Sequence, residues 1–361
     1  MNARERILAI VHHVIPDKLP FAPLWEYVPR GDFERELRSR GMGWMTRTPL
    51  WYSEHPNVVF ERRVVADRVT TIAHTPVGSV SSSVATHLDR RTGNSRSLLR
   101  EGWLKSVKDY DPILFMIEDE VFCENYGAYD RLNRAFAGDG LVRSGRFDAP
   151  YWLAYGYFGL GSPEGATNFV YHQVDHPDHF AALIEALERR NERLFPVVAN
   201  CPAELIEVGA VDGIYGPTQY ERYFLAFYEK YVPLLHARGK IVYPHAHSSR
   251  LKDYADLLTR SGVGMLDAFT PPPVGNLSLA EARAIWGDRM VIAVNFPETI
   301  FWWGPQATKS YTSQLLRENA GGPLILGMTE IGTSMIADDE MDVSFKAGMR
   351  AVMDAIDEHC G

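Results

Sequence analysis

Lys240 to His247 reads KIVYPHAH, an apolar, β-branched run that ends on two histidines, and its pattern recurs through the C-terminal half of the chain. The related runs are AELIEV (203–208), VGMLDA (263–268), MVIAV (290–294) and PLILGM (323–328). Each neighbours a stretch of helical period, clearest at 180–194, 219–237, 279–286 and 343–356. Five strand and helix units in succession predict a parallel sheet with right-handed crossovers, closed as a barrel or left as a doubly wound sheet. Two features favour the barrel. No G-x-G-x-x-G or Walker loop follows an early strand, and Gly159, Gly161 and Gly165 are too loosely spaced to form one. Polar residues also recur at the carboxyl ends of several strands, which is how a barrel builds its site. The expectation is an α/β (β/α)8 TIM barrel, one domain over residues 1–361. From about Val58 to Ser83, period-two alternation and a Pro-Val-Gly turn predict an antiparallel hairpin or meander, inserted in the barrel over about residues 55–100.

Composition narrows the class of protein. Of 361 residues, 46% are hydrophobic and 23% charged, enough apolar material for a large core. The formal net charge of -9 argues against nucleic acid or an anionic membrane as partner. Arg90, Arg91, Arg96 and Arg100 read as a solvated loop. Cys123, Cys201 and Cys360 are odd in number and far apart, which points away from a disulfide framework and towards a reducing compartment. Met1 to His13 reads as an amphipathic helix rather than a signal peptide, and no apolar run approaches the roughly 20 residues of a membrane span. A cytoplasmic protein acting on a small molecule is expected.

The strand ends carry the chemistry. Residues two apart share a strand face, so Ile241, Tyr243, His245 and His247 align. Two imidazoles there can bind zinc or work as acid and base near neutral pH. The same parity sets Glu330 beyond Leu324, Leu326 and Met328, and Glu207 beyond Leu205. A carboxylate ending a buried strand must be paired, hydrogen-bonded or metal-bound, because an isolated buried charge is too costly. Glu207, His245 and Glu330 are therefore candidate catalytic groups, and His245, His247 and Glu330 candidate metal ligands. They suit a mixed nitrogen and oxygen zinc site or a metal-free acid and base site, and spacing does not separate the two. Trp25, Tyr27, Tyr155, Asp267 and Asn295 are candidate substrate-binding residues, with the aromatics read as pocket wall or core.

Three segments resemble the uroporphyrinogen decarboxylase superfamily. They are RERILAIVHHVIPDKLPFAPLWE (4–26), VDGIYGPTQYERYFLAFYEKYVPLLHARGKIVYPHAH (211–247), and LDAFTPPPVGNLSL (266–279) with NFPETI (295–300) and LILGMTEIGTSMI (324–336). The resemblance implies a barrel with its site at the carboxyl strand ends, and often a homodimer. The decarboxylases proper carry an Arg-Gln-Ala-Gly-Arg segment near the N-terminus, whereas this chain reads PLWEYVPRGD (23–32). The zinc methyltransferases of the superfamily carry His-x-Cys where this chain has His245 and His247, and a further Cys where it has Met328, Thr329 and Glu330. The implied function is a methyltransferase or demethylase component, closer to the corrinoid-linked branch. It would use Zn2+ to move a methyl group between a small O- or N-methyl compound and a corrinoid supplied on a partner protein. A harder ligand set leaves such a metal more Lewis-acidic. The alternative is a metal-free decarboxylase or lyase, which arginines clustered at the barrel mouth would mark.

Overall fold

A computed structural model of the chain describes residues 1–86, 97–162, 164–211, 215–329 and 339–360. In chain order the described strands are β1 (Trp44–Thr48), β2 (Trp51–Glu54), β3 (Val59–Val65), β4 (Arg68–Thr75), β5 (Gly78–Ala85), β6 (Leu98–Glu101) and β7 (Val121–Glu124). They continue as β8 (Gly140–Ser144), β9 (Leu205–Ala210), β10 (Ile241–His245), β11 (Met265–Phe269), β12 (Val291–Asn295) and β13 (Leu324–Gly327). The chain divides into two compact units, one of Met1–Pro49, Gly127–Phe147 and Pro202–Gly361, the other of Leu50–Tyr126 and Asp148–Cys201.

The first unit is mixed α/β around a five-stranded parallel sheet in the order β13-β12-β11-β10-β9. Strands β9, β11, β12 and β13 are buried at every residue, which explains their unbroken apolar runs: parallel strands are covered on both faces. The strands start one or two residues later than the apolar runs in the sequence. β1 and β8 form a second parallel pair. Beyond β8, Arg146 bridges to Glu207 of β9. Residues 20–24 bond in two directions: Ala22 N donates to Leu326 O at 2.7 Å and Leu24 N to Met328 O at 3.0 Å, while Met45 N donates to Pro23 O at 3.1 Å.

Helices close over this sheet. Asn2 and Glu5 form a reciprocal capping box that starts the helix Ala3–Val11, satisfying two amides the helix itself leaves unbonded. Its residues Ile7, Ile10 and Val11 pack with Leu205, Met265, Val291 and Ile325, which lie at the amino ends of their strands. The apolar cluster thus lies at the amino ends of these strands. Ser278 and Glu281 form a second capping box, starting the helix Leu279–Trp286 where the sequence predicts it. The helical stretch expected over 219–237 runs from Pro217 to His236, with a π-helical turn at Tyr220–Leu225.

The second unit holds an antiparallel four-stranded sheet, β3-β4-β5-β6, in the region expected to form a meander. β2 and β7 pair antiparallel beside it in sequence. Its helices, among them Pro150–Phe158, Gly165–Asp175 and Pro177–Asn200, share an aromatic core. No disulfide links the three cysteines. Among the described residues, no helix is long and apolar enough to cross a membrane.

One buried side chain ties several elements of the first unit. Arg283 donates to Asn319 Oδ1 at 2.8 Å and to the carbonyls of Gly287 at 2.9 Å, Met290 at 2.8 Å and Pro323 at 2.8 Å, just before β12 and β13. Losing these donors strands buried acceptors, each at about 1–3 kcal/mol. Arg283→Met should therefore lower stability by roughly 2–5 kcal/mol, read from the urea midpoint at unchanged slope.

Candidate active site at the strand carboxyl ends

Glu207, on β9, is fully buried. Arg47, near the end of β1, holds it with two charge-assisted hydrogen bonds from Nη1, 2.9 Å to Oε1 and 3.0 Å to Oε2. Tyr243, on β10, donates its hydroxyl to Oε2 at 3.3 Å, and Arg146 Nε approaches Oε1 at 3.7 Å. Taking a carboxylate out of water costs several kcal/mol, so a fully buried Glu207 requires these partners. Burial is the largest single influence on Arg47 and opposes its charge, but Glu207 together with Tyr243 and Asp267 more than offsets it and keeps the Arg47 pKa above the usual guanidinium value. Burial, reinforced by the nearby carboxylates, raises the Tyr243 phenol well above its ordinary range, so it stays protonated and donates.

A second buried carboxylate lies one strand further on. His245 of β10 is in register with Asp267 of β11, and His245 Nδ1 is 3.2 Å from Asp267 Oδ2. Arg143 of β8, fully buried, brings Nη1 to 2.7 Å from Asp267 Oδ1 and lays its guanidinium 5.1 Å from the Tyr243 ring centre. This is an ion pair by distance but is not aligned as a hydrogen bond, and among the described residues the guanidinium nitrogens of Arg143 have no hydrogen-bond acceptor. Burial alone would raise the Asp267 carboxyl, but Arg143 and His245 more than offset it and hold it below the usual carboxylate range. An anionic Asp267 selects the His245 tautomer with its proton on Nδ1, which makes Nε2 the atom through which His245 can act. The His247 ring lies 4.7 Å from that of His245, centre to centre.

The backbone is shaped to bring these groups together. β11 shifts register against β12 between Leu266 and Phe269, where Ala268 has φ 56°. A left-handed alanine costs of order 1 kcal/mol, and this one directly follows Asp267. On β9, Gly209 takes φ 61° where pairing with β10 shifts between Tyr243 and His245. A Cβ at Gly209 would come within 3.2 Å of the Tyr228 hydroxyl, so glycine is favoured there by both conformation and space.

The remaining candidates divide. Asn295 accepts from Thr329 N at 2.8 Å and donates to Thr270 Oγ1 at 3.2 Å, so both ends of its amide hold neighbouring strand ends. Trp25 and Tyr27 form a short turn following residues 20–24. Trp25 is exposed, with the Arg30 guanidinium 4.2 Å from its ring centre, and Tyr27 packs on the apolar cluster of the first unit. Tyr155 is buried in the second unit, its ring 4.8 Å from Phe169 and 6.1 Å from Trp152. Glu330 lies outside the described residues. Among those described, no group of three His, Cys, Asp or Glu side chains is arranged to hold a metal. His245 and His247 offer two imidazoles, and a zinc site needs at least one further ligand.

Sequence reasoning missed Arg47, Arg143, Arg146 and Tyr243 as members of this cluster. The available signal was period two: Arg143 follows Leu141 on one face of GLVRS, and Arg47 follows Met45 on one face of WMTRT. An arginine in a strand reads as a surface residue until a buried carboxylate is known to face it.

Comparison with known proteins gives a likeness of fold. No family model matches the chain, and no curated protein matches it. A solved methyltransferase from Methanosarcina mazei superposes over 100% of both chains with a TM-score of 0.56 at 12% identity. A B12-independent methionine synthase from a Shewanella species, solved in complex with selenomethionine, aligns over 95% of this chain and 98% of that chain with a TM-score of 0.35 at 10% identity. The second likeness is too weak to support an argument.

The Arg47–Glu207 pair yields a direct test. Glu207→Ala should cost roughly 3–5 kcal/mol, since it leaves guanidinium groups without their acceptor. In a double-mutant cycle, Arg47→Ala should couple to it by about 1 kcal/mol or more. Additive losses in urea denaturation would show that the two side chains do not depend on each other.

Proposed function

We propose that this chain is a methyl-transfer enzyme, moving a methyl group between a small O- or N-methyl compound and a corrinoid carried on a separate protein. The observation that carries the reading is the Arg143–Asp267–His245 chain at the strand ends. It is a preorganised histidine in a fold shared along its whole length with a solved methyltransferase. We further take the first unit as a closed (β/α)8 barrel. Residues 20–24 bond both β13 and β1, β1 pairs with β8, and Arg146 joins the end of β8 to β9. On this reading the chain is a single uroporphyrinogen decarboxylase-like domain, with about residues 55–100 as its insertion.

The protein's own contribution is positioning and charge. Asp267 orients His245, and Arg143 keeps Asp267 anionic. When the methyl group leaves, its oxygen or nitrogen keeps the bonding pair and needs a proton or an electrophile; His245, when it carries a proton on Nε2 as well as on Nδ1, would give up the Nε2 proton to it. Zinc held by His245, His247 and Glu330 would supply that electrophile as a Lewis acid.

Arginines at the strand ends are also the feature that would mark a decarboxylase for polycarboxylate substrates. Here Arg47 and Arg143 are each spent on a buried carboxylate, and this keeps decarboxylation the second reading.

The test uses purified protein with methylcobalamin or cob(I)alamin and a panel of small O-methyl and N-methyl compounds, followed by absorbance, with metal analysis alongside. Methyl transfer should appear, fall about a hundredfold or more in His245→Ala, and fall about ten- to a hundredfold in Asp267→Asn. No transfer with any member, together with carbon dioxide release from a carboxylated substrate, would replace this reading with the second.

A further inference from the structure

β3 is the edge strand of the sheet β3-β4-β5-β6 in the second unit. Its inner side pairs with β4 from Val59 opposite His74 to Val65 opposite Arg68, and among the described residues nothing pairs with its outer side. The strand runs seven residues, VFERRVV, without proline or glycine. It is also unusually bare: Val59 is 69% exposed, Phe60 46%, Val64 62% and Val65 73%. Edge strands are normally blunted or covered, because open backbone groups beside apolar side chains are a template for pairing.

We propose that the outer edge of β3 pairs antiparallel with β3 of a second copy of this chain, about a two-fold axis through Arg62. The sequence is self-complementary in that register. Val59 faces Val65 of the second copy, Phe60 faces its Val64, and Glu61 faces its Arg63. Paired positions differ by an even number, so both members of each pair lie on the same face of the joined sheet. A shift by two residues either way would set Glu61 against Glu61, or Arg63 against Arg63, across the axis. Each of those registers also gives up both Glu61–Arg63 pairs, and this is what favours the proposed one. The proposed register carries one like-charge pair too, Arg62 against Arg62 on the axis, where the side chain is exposed and lies on the opposite face from Glu61 and Arg63.

Within one chain Arg63 Nε already lies 2.5 Å from Glu61 Oε1, and His74 Nε2 lies 3.2 Å from Glu61 Oε2. Pairing would therefore merge two existing ion pairs into one four-charge cluster. The apolar residues on either side of it would be covered, and the two four-stranded sheets would become one of eight. A ladder of this length buries less than a standard interface, so a reversible dimer with a dissociation constant on the order of micromolar is expected.

Sedimentation of the full chain over a concentration series tests this with Glu61→Arg and Arg63→Glu, both exposed-edge substitutions. The unaltered chain should dimerise reversibly, and each variant alone should weaken dimerisation about tenfold or more, since like charges then oppose each other. An equimolar mixture of the two variants should restore it, because Glu61→Arg in one copy meets Arg63→Glu in the other. Circular dichroism matching that of the unaltered chain shows that the variants fold. A chain monomeric at high micromolar concentration would overturn the proposal. So would a dimer indifferent to both variants, or single variants that weaken it without rescue on mixing.

Discussion

Two carboxylates without access to water govern the strand-end region of this protein. Glu207 and Asp267 sit on β9 and β11, and each must be matched by a cation or the fold bears an uncompensated buried charge. The matching cations come from β1 and β8, elements far away in sequence. The ion pairs therefore do two things at once. They hold the Asp267 carboxyl below its usual range, and they hold the β1–β8 pair against the five-stranded sheet at the end where chemistry would occur. Tyr243 lies between the two, donating to Glu207 and offering its ring to Arg143, so the pairs form one network rather than two separate contacts.

The network is also what gives His245 its chemical character. A histidine at an exposed strand end could adopt either tautomer and several rotamers. With Nδ1 beside an anionic Asp267, the proton and the ring orientation are both fixed, as for a metal-ligating or general-base histidine. The backbone accommodates this arrangement at some cost. Ala268 and Gly209 both take left-handed conformations, at shifts in strand register beside the charged residues. Asn295 secures the next two strand ends, bonding the side chain of Thr270 and the backbone of Thr329.

The two ends of the first unit are built on different principles. At the amino end the helix Ala3–Val11 inserts aliphatic side chains among the strand starts, a non-directional contact that excludes water. At the carboxyl end directional, charge-assisted bonds predominate. This division allows the polar end to vary without loss of the core, and it explains why a likeness of fold at 12% identity says little about which molecule is bound.

What the sequence determined by itself was local and periodic. The apolar runs that became β9 to β13, the helical stretch at Leu279–Trp286, and the alternation that became β3 to β5 were all legible, because each depends on residues a few positions apart. Of the residues expected at strand ends, His245 ends β10, while Glu207 and Asp267 stand third in β9 and β11. The arginines were not legible. Arg47 lies 160 positions from Glu207, and nothing near Arg47 or Arg143 in the chain announces a buried carboxylate. Tyr155 showed the converse: its aromatic stretch fitted pocket wall and core equally well, and only the packing against Phe169 assigned it to the core of the second unit. Charge pairing in a low-dielectric interior is a long-range match between strands, so only the tertiary structure could decide it.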